Sequence, residues 1–481
     1  MIAFYSYNME LSMSDIINIG NRREVFWDDS IIDPENTGAA YTVHHPIKRE
    51  CVITLDGPDA SHPSPYSCLV KYNGIYMFYI SGNKTMFCYQ SKDGINWEAP
   101  DYDIDDRIGS LGGGKNSIFS HDENSPYYDD TEFDGFKVFV DTNPNCKEEE
   151  RFKAVANKLE HKLTLYTSPD GIHWTRQYEF SITAGFDSQN TLLYDEHTQK
   201  YRMFFRDFHP APDPNETRWW RDIRTSESSD LKNWSPKKIL HFDDYIDWQL
   251  YTNGIIKYYR APHIFVGFPA RYIERLGWSP NFDDLCGLEA RKTRRGRHAT
   301  ALTDTLFMTS RDGLNWKRYP NAYITPGPEY ETNWEYGSCY VCDGIAESPS
   351  THPGCDNELS LYIPENRWSD EPVKIYRHTV RLDGFVSLFG PWHGTVIYTK
   401  PFIFDGDELY INFSTSAYGY LNVQIKALDG SETISTNEIF GDSTNRHVRF
   451  KNDKTPSLLK GKPVVMKIEV KDAHLYSFKF E

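Results

Sequence analysis

Short apolar runs separated by turn-forming residues fill most of the chain. The stretch from Asp187 to Trp234 shows the pattern in full: D-S-Q-N-T-L-L-Y-D, a turn at E-H-T-Q-K, Y-R-M-F-F-R-D, a long loop, and a run that closes on S-S-D-L-K-N-W. Runs rich in Leu, Tyr, Phe and Ile between turn residues are typical of hairpin-connected antiparallel strands. In the closing turn, Ser or Asp oxygens bind backbone N–H groups and the Trp packs beneath as an apolar plug.

The closing signature recurs along the chain. It reads S-x-D-G-x-x-W at 91–97, 168–174 and 310–316, and R-L-D-G-F at 381–385 is a fifth copy with Phe for Trp. Five such turns, spaced by roughly 60 to 80 residues, indicate an array of four-stranded units. The spacing predicts a five-bladed β-propeller. The predicted blades are 67–97, 116–174, 187–234, 247–316 and 334–385.

Beyond Gly394 the pattern becomes a regular alternation of apolar and polar residues. The apolar positions are Leu409, Ile411 and Phe413, then Leu421, Val423 and Ile425, then Val464, Met466, Ile468 and Val470. Such alternation predicts half-buried strands of a β-sandwich. The predicted fold is therefore all-β, with a lead-in at 1–50 packing on the propeller, the propeller at 51–393 and a C-terminal β-sandwich at 394–481.

Composition and charge narrow the expected partners. The net charge of -17 argues against nucleic acid and anionic membranes, which are polyanions. An aromatic content of 15% suits a sugar-binding surface. Met1 to Ile19 lacks a basic cluster followed by an apolar run, and no long apolar span follows, so we expect a cytoplasmic protein. Whether an export signal has been removed from this sequence stays open, and so does the oligomeric state.

The eight cysteines do not predict a disulfide framework or a metal site. Their uneven spacing in a chain of this length indicates free thiols. Cys339-x-x-Cys342, with His352 and Cys355 nearby in sequence, is disfavoured as a zinc site because strand residues i and i+3 point to opposite faces. We expect no cofactor and no metal in the active site; a structural calcium ion on the propeller axis stays open.

A propeller determines which loop ends meet at one face. The start of each first strand and the end of each second strand converge on one funnel, while the closing turns lie opposite. Carboxylates, arginines and an indole meeting in one funnel would serve cleavage of a glycosidic bond, although Asp and Asn also cap strand ends. The predicted funnel residues are His62, Asn116, Asp187, Asp247, Trp248 and Glu335 from first strands, and Asp141, Asn143, Arg206, Asp207, Arg271 and Glu365 from second strands.

Asp187 and Glu335 are the principal catalytic candidates, because each begins an innermost strand. Crowding of carboxylates can raise one pKa and keep that group protonated as the acid. Asp141 and Asp207 are expected to orient groups or stabilise the transition state, the alternative for Asp207 being an ion pair with Arg206 or Arg221. The remaining eight residues are expected to bind substrate: His62, Asn116, Asn143, Arg206, Asp247, Trp248, Arg271 and Glu365.

An arginine-rich insertion interrupts the fourth predicted blade at 277–300. Its position between second and third strands places it over the funnel, where it could hold an acidic or phosphorylated substrate or close as a lid. A solvated or subunit-contacting loop is the alternative. Its basic residues are Arg291, Lys292, Arg294, Arg295 and Arg297.

Several motifs resemble one group of enzymes. They are V-F-W-D-D-S-I-I-D at 25–33, F-V-D-T-N-P at 139–144, S-P-D-G-I-H-W at 168–174, R-L-D-G-F at 381–385, T-K-P-F at 399–402 and D-A-H-L-Y-S-F at 472–478. Through them the chain resembles five-bladed propeller glycoside hydrolases of the invertase, levansucrase and arabinanase type, and most closely a bacterial group related to glycoside hydrolase family 32. The resemblance implies an Asp and a Glu across the funnel, and a second Asp in an Arg-Asp pair that Arg206-Asp207 is similar to.

The sequence therefore predicts a glycoside hydrolase that cleaves an oligosaccharide by carboxylate acid/base chemistry. One alternative is a glycoside phosphorylase, in which His62, Arg206 and Arg271 would hold inorganic phosphate. The other is a propeller that binds carbohydrate without cleaving it.

Overall fold

The computed structural model describes residues 16–55, 66–81, 86–104, 114–120, 124–126, 128, 135–159, 161–275, 277–367 and 371–481. The chain divides into two compact units. The propeller unit contains residues 45–258 and 262–380, and the terminal unit contains the described residues among 1–44, 259–261 and 381–481. None of the helices in the described part of the chain is long and apolar enough to cross a membrane.

Five sheets form the blades of the propeller unit, which confirms the predicted propeller. Blade one contains Ser67–Tyr72, Ile75–Ser81 and Met86–Ser91. Blade two contains Lys137–Val140, Phe152–Leu159, Lys162–Ser168 and Thr175–Glu179. Blade three contains Thr191–Asp195, Lys200–Pro210, Trp219–Ser228 and Lys238–Ile239. Blade four contains Ile256–Lys257, Phe265–Gly267, Ala270–Glu274, Ala301–Ser310, Asn315–Ile324 and His241–Phe242, and blade five contains Ala346–Ser348, Glu358–Glu365, Val373–Arg381 and Ile47–Leu55.

Short helices are few. The described residues contain three α-helices, Asn281–Asp284, Leu288–Thr293 and Arg297–Thr300, which all belong to the insertion in blade four. The 3-10 turns are Glu148–Glu150, Lys451–Asp453 and Pro456–Leu458. The described chain is thus nearly all β, as predicted.

Hydrogen bonds between blades close the ring around the axis. Blades one and five are joined because the Asp343 N–H donates to the Ser67 carbonyl at 3.0 Å and the Leu69 N–H donates to the Asp343 carbonyl at 3.0 Å. The Gln189 amide donates to the Ser67 carbonyl at 3.1 Å, and the Thr191 hydroxyl to Asn253 Oδ1 at 2.8 Å. These contacts tie blade three to blades one and four.

A buried ion pair joins blades two and five at the axis. Lys137 Nζ lies 3.2 Å from Asp343 Oδ2 and donates to the Asp343 carbonyl at 3.1 Å. The two side chains are 4% and 3% exposed. Burial raises the pKa of Asp343, while the Lys137 ammonium opposes that rise. The charge of each group is therefore compensated chiefly by the other.

The N-terminal part of the propeller unit completes blade five. Ile47–Leu55 pairs antiparallel with Val373–Arg381 as the outermost strand. The chain leaves the blade after Arg381, and Val386–Gly390, the strand that follows, belongs to the ten-stranded sheet, so the predicted fifth closing turn closes no blade. Its Asp383 carboxylate instead forms ion pairs within the terminal unit, with Arg23 at 3.1 Å and Arg260 at 2.8 Å.

The other four closing turns share one hydrogen-bond pattern. In the first of them, Ser91 Oγ accepts from the Gly94 N–H at 2.9 Å, and Asp93 Oδ1 accepts from the Ile95 and Asn96 N–H groups at 2.8 Å each. Gly94 has φ +73°, a left-handed conformation that glycine adopts without strain. The predicted Asp and Ser capping is thereby confirmed. Equivalent bonds are made at Asp170, Asp230 and Asp312.

We expect Asp93→Ala to lower the free energy of unfolding by about 1 kcal/mol, because the turn loses the hydrogen bonds that Ser91, Ile95 and Asn96 donate to a partly solvated carboxylate. Burial opposes ionisation of Asp93, but the N–H groups of Asn96 and Ile95 hold its pKa at about 2. This stabilisation is present above the ordinary pKa of 3.8 and is lost as the pH falls through 2. Urea unfolding at pH 7 and pH 2.5 measures the loss of unfolding free energy in Asp93→Ala, and Lys92→Ala, at an exposed position, is the control. Equal losses in Asp93→Ala at both pH values would contradict this prediction.

The terminal unit forms one hydrogen-bonded, ten-stranded sheet. The predicted alternation is confirmed: Leu409, Ile411 and Phe413 are buried, as are their partners across Val464–Phe480. A division into the two layers of a sandwich stays a prediction. The strands are Ile17–Gly20, Glu24–Val25, Ala40–Val43, Val386–Gly390, Thr395–Tyr398, Phe402–Phe404, Leu409–Ala427, Thr433–Ser435, Asp442–His447 and Val464–Phe480.

Candidate active site

Asp187 and Arg206 meet at the funnel end of blade three. Asp187 lies just before the first strand, and Arg206 lies two residues beyond Phe204, the second-strand partner of Thr191, so hairpin pairing brings them to the same face. Arg206 Nη2 lies 3.0 Å from Asp187 Oδ2, and Arg206 Nε donates to the Gly185 carbonyl at 3.0 Å. The arginine is 3% exposed and the Asp187 side chain 48% exposed. A buried cation thus holds a carboxylate that solvent or a ligand can reach.

Five buried tyrosines form the floor beside this pair. They come from three blades, and we call them the tyrosine cluster: Tyr66, Tyr251, Tyr272, Tyr336 and Tyr340. Tyr251 is central, with ring centroids 5.6 Å from Tyr336, 5.9 Å from Tyr272 and 6.0 Å from Tyr340. The guanidinium of Arg206 lies 5.0 Å from the centre of the Tyr251 ring. The cluster therefore connects the Asp187 side of the funnel to the segment that carries Glu335.

Further arginines surround the tyrosine cluster. Arg221 lies 4.5 Å from the centre of the Tyr272 ring and 5.1 Å from that of Tyr251. Arg297 and Arg367 lie 5.4 and 5.7 Å from the Tyr336 ring. Guanidinium groups over ring faces are held by cation–π attraction. The funnel thus combines apolar ring surface with positive charge.

Tyr336 and Arg297 both interact with the Tyr251 hydroxyl. Burial by itself would raise the pKa of Tyr251, but Arg206, the Tyr336 hydroxyl and Arg297 together lower it below its usual value. Burial raises the pKa of Tyr336, which keeps that residue a donor. The pair is a fixed polar group within an otherwise aromatic floor.

Glu335 is a buried carboxyl group next to Tyr336. Its side chain is 4% exposed, and Arg294 Nη1 lies 2.7 Å from Oε2. Burial raises the pKa of Glu335 to about 7, although Arg294, Arg291 and Arg367 lower it. Glu335 is therefore protonated in a large fraction of molecules near neutral pH. The expectation that one funnel carboxyl is kept protonated agrees with this pKa, but burial rather than crowding by carboxylates is the main cause.

The insertion at 277–300 packs onto the same part of the funnel. Arg291 is buried and donates to the carbonyls of Ala299 at 3.2 Å and Trp334 at 2.7 Å. Arg294 and Arg297 reach Glu335 and Tyr336. These contacts place the insertion beside Glu335 and Tyr336, while its role as a lid or as a substrate-binding loop stays a prediction. Arg291 has a structural role, whereas Arg294 and Arg297 face the candidate site.

Asp141 and Asn143 lie at the face opposite the funnel. Blade two starts at Lys137, so Asp141 follows a first strand and the prediction that it ends a second strand is wrong. Asp141 Oδ2 pairs with Lys153 at 2.7 Å and accepts from the Tyr201 hydroxyl at 2.8 Å, both at the beginning of second strands. Asn143 donates to the same hydroxyl at 3.1 Å. These residues serve the fold there.

Asp207 and Arg271 turn away from the tyrosine cluster. Consecutive strand residues point to opposite faces, so the side chains of Arg206 and Asp207 lie on opposite faces of blade three. Asp207 pairs with Lys237 at 2.7 Å and Arg224 at 3.5 Å, which differs from the expected Arg-Asp pair and from its alternatives. Arg271 binds Asp304, with Nε 2.9 Å from Oδ1, within blade four.

Asp247 and Trp248 line a separate cavity of about 330 Å³ between the outer strands of blades three and four. Asp247 Oδ2 lies 3.1 Å from His209 Nε2, and His209 Nδ1 lies 3.1 Å from Asp222. The Trp248 indole is covered on one side by Arg271, 4.7 Å from the ring centre. We call this the lateral cavity; it does not contain Asp187 or Glu335.

Three predicted residues remain. Asn116 does not begin a first strand: it flanks the third strand of blade one, and its side chain donates to the Cys88 carbonyl at 3.2 Å. Glu365 and Glu335 line the same small cavity of about 40 Å³, where Glu365 accepts from Lys48 at 2.6 Å and Tyr330 at 2.8 Å. His62 lies outside the described residues. No cluster of three or more His, Cys, Asp or Glu suited to a metal occurs in the described ranges.

Comparison with known proteins gives matches among solved structures. No protein-family model and no curated protein matches the chain. An N-acetylgalactosamine deacetylase from F. plautii is 12% identical over 72% of this chain and 95% of its own, with a TM-score of 0.41. An endo-arabinase from Bacteroides thetaiotaomicron is 10% identical over 69% of this chain and 98% of its own, with a TM-score of 0.41. A family 32 β-fructofuranosidase from Bombyx mori is 8% identical over 94% of this chain and 96% of its own, with a TM-score of 0.35.

The strand pairings of the chain itself define its class. It is a five-bladed β-propeller protein whose candidate active site, lined by arginines and tyrosines, contains one half-exposed and one buried carboxyl group.

Proposed function

We propose that the protein is a glycoside hydrolase that cleaves an oligosaccharide in the funnel, with Glu335 as the general acid and Asp187 as the second carboxylate. The observation that carries this proposal is the buried Glu335 carboxyl, whose pKa of about 7 keeps a proton available near neutrality. A glycosidic oxygen needs such a proton as its bond to the anomeric carbon breaks.

In the proposed reaction Glu335 gives its proton to the leaving oxygen. Asp187 either removes a proton from the attacking water or first bonds to the anomeric carbon, after which water releases the sugar. The first route inverts the anomeric configuration and the second retains it, with carboxyl separations of about 6.5–9.5 Å and roughly 5 Å respectively. Proton NMR of the first-formed anomer distinguishes the two routes.

The positive charge around the tyrosine cluster favours a second candidate, a glycoside phosphorylase. Arg206, Arg221 and Arg297 all lie within about 5.4 Å of a ring in this cluster. Guanidinium groups bind phosphate well, and phosphate would then replace water as the attacking group. Turnover that requires inorganic phosphate would move the proposal to this reaction.

The test is a screen of purified protein against aryl furanosides, aryl pyranosides and plant and bacterial oligosaccharides, with and without phosphate. Asp187→Asn and Glu335→Gln are assayed beside the wild type, with circular dichroism to show that each variant is folded. We expect turnover of at least one glycoside and its loss in both variants. Sugar binding without turnover, unchanged in both variants, would favour a non-catalytic binding protein and contradict the proposal.

A further inference from the structure

The carboxylates near the tyrosine cluster each have an arginine partner. Asp187 pairs with Arg206 at 3.0 Å, and Glu335 with Arg294 at 2.7 Å. Glu274, which accepts from the Tyr272 hydroxyl at 3.2 Å, pairs with Arg218 at 2.9 Å. Arg218 also lies 2.7 Å from Glu216. Each of the three carboxylates beside the cluster therefore has an arginine partner other than Arg221 and Arg297.

Arg221 and Arg297 remain over the same rings without such a partner. Arg221 donates to the neutral Gln249 amide oxygen at 2.7 Å, and its Nε makes no hydrogen bond within the described ranges. Arg297 lies 5.4 Å from the centre of the Tyr336 ring. Neither has a carboxylate partner among the described residues, and both are half-buried. Each keeps N–H groups that a bound oxyanion could use.

A neighbouring histidine reports the same excess of positive charge. His298 stacks against Tyr336, with ring centroids 5.2 Å apart. Burial and the guanidinium groups of Arg297, Arg367 and Arg294 lower the pKa of His298. The imidazole is consequently neutral at pH 7, although the whole protein carries a net charge of -17. Although the protein as a whole is acidic, this local excess of positive charge attracts an anion at short range.

We infer that Arg221 and Arg297 form an oxyanion subsite beside the catalytic pair, and that it recognises the carboxylate of an acidic sugar. Arginine presents a planar fork of N–H donors that fits a carboxylate. The inference rests on the proposed function for its catalytic context, but it is a statement about binding. Inorganic phosphate offers the same oxyanion chemistry and is the alternative source that the experiment separates.

The experiment measures binding by calorimetry to pairs that differ in the carboxylate: oligogalacturonides against oligogalactosides, and glucuronides against glucosides. Inorganic phosphate is titrated alone. We expect at least one acidic ligand to bind about tenfold or more tightly than its neutral counterpart, and that preference to fall with rising salt. Arg221→Gln and Arg297→Gln should each remove most of the preference. Arg295→Gln, an exposed arginine of the same insertion, is the matched control.

The outcomes separate this inference from the proposed function. Acidic and neutral ligands bound equally, or a preference kept in both arginine variants with unchanged thermal midpoints, would overturn the subsite. Binding of phosphate alone would overturn the sugar carboxylate as its ligand. Cleavage of neutral glycosides that depends on Glu335, without acid preference, would sink the inference and leave the hydrolase standing. A preference for acidic ligands without turnover of any glycoside would support the oxyanion subsite and contradict the hydrolase.

Discussion

Glu335→Gln is expected to lower kcat by about 10²–10⁴ on glycosides with poor leaving groups, because glutamine cannot give the leaving oxygen a proton. Aryl glycosides with acidic phenols leave without full protonation, so their rates should fall much less. The binding of substrate should change little, since the two side chains have the same shape. Steady-state kinetics on one alkyl and one nitrophenyl glycoside of the same sugar measures this difference.

The pH dependence of the wild type follows from the same residue. Burial raises the pKa of Glu335 to about 7, so the proton needed for catalysis is present below pH 7 and is lost above it. The rate should therefore fall on the alkaline side with a midpoint near 7, and Glu335→Gln should remove that limb. Glu196→Gln, a carboxylate paired with Lys257 away from the tyrosine cluster, is the matched control. An alkaline limb that persists in Glu335→Gln would assign the acid to another group.

Lys137→Met is expected to lower the free energy of unfolding by about 3–5 kcal/mol, because it leaves the Asp343 carboxyl buried at the axis without its cation. Both side chains are at most 4% exposed, and water cannot replace the ammonium. Urea unfolding followed by tryptophan fluorescence measures the loss. Lys147→Met, which breaks an exposed pair with Glu150, should change stability by less than about 0.5 kcal/mol.

Two further experiments test the axial pair of Lys137 and Asp343. The double variant Lys137→Met/Asp343→Leu should be more stable than Lys137→Met alone, because no charge is then left buried. Lys137 lowers the pKa of Asp343, so its removal favours the protonated carboxyl in the folded protein. The loss should therefore shrink as the pH falls and grow as it rises. A loss below 1 kcal/mol at pH 7 would contradict a structural role for the pair.

The sequence predicts the blades well because their signals are local. Each closing turn contains its own Ser, Asp and Gly within a few residues, and the bonds at Asp93 and Asp170 need no distant partner. The phase of blade two depends on counting strands. Counting the run N-S-I-F at 116–119 as the first strand shifts the blade by one strand and places Asp141 at the wrong face, because the first strand is Lys137–Val140.

The candidate site is only partly visible in the sequence. Strand-end position singled out Asp187, Arg206 and Glu335, which the structure connects through the tyrosine cluster. The cluster itself escaped prediction because its members come from distant segments and each resembles an ordinary core tyrosine. A pointer was available in Tyr336 and Tyr340, two aromatic residues in a segment next to Glu335. The partners of Asp207 and Arg271 depend on which side of a strand faces the axis, and that requires the register.

The most direct test of the central claim compares Asp187→Asn, Glu335→Gln and the double variant on the glycoside that the wild type cleaves best. Substitutions of residues that act together in one reaction lower the rate non-additively, so a second substitution lowers it little once the first has disabled that reaction. We expect the double variant to be about as slow as the slower single variant. Losses that multiply, or full activity in either folded single variant, would contradict the assignment of these two carboxyl groups to one active site.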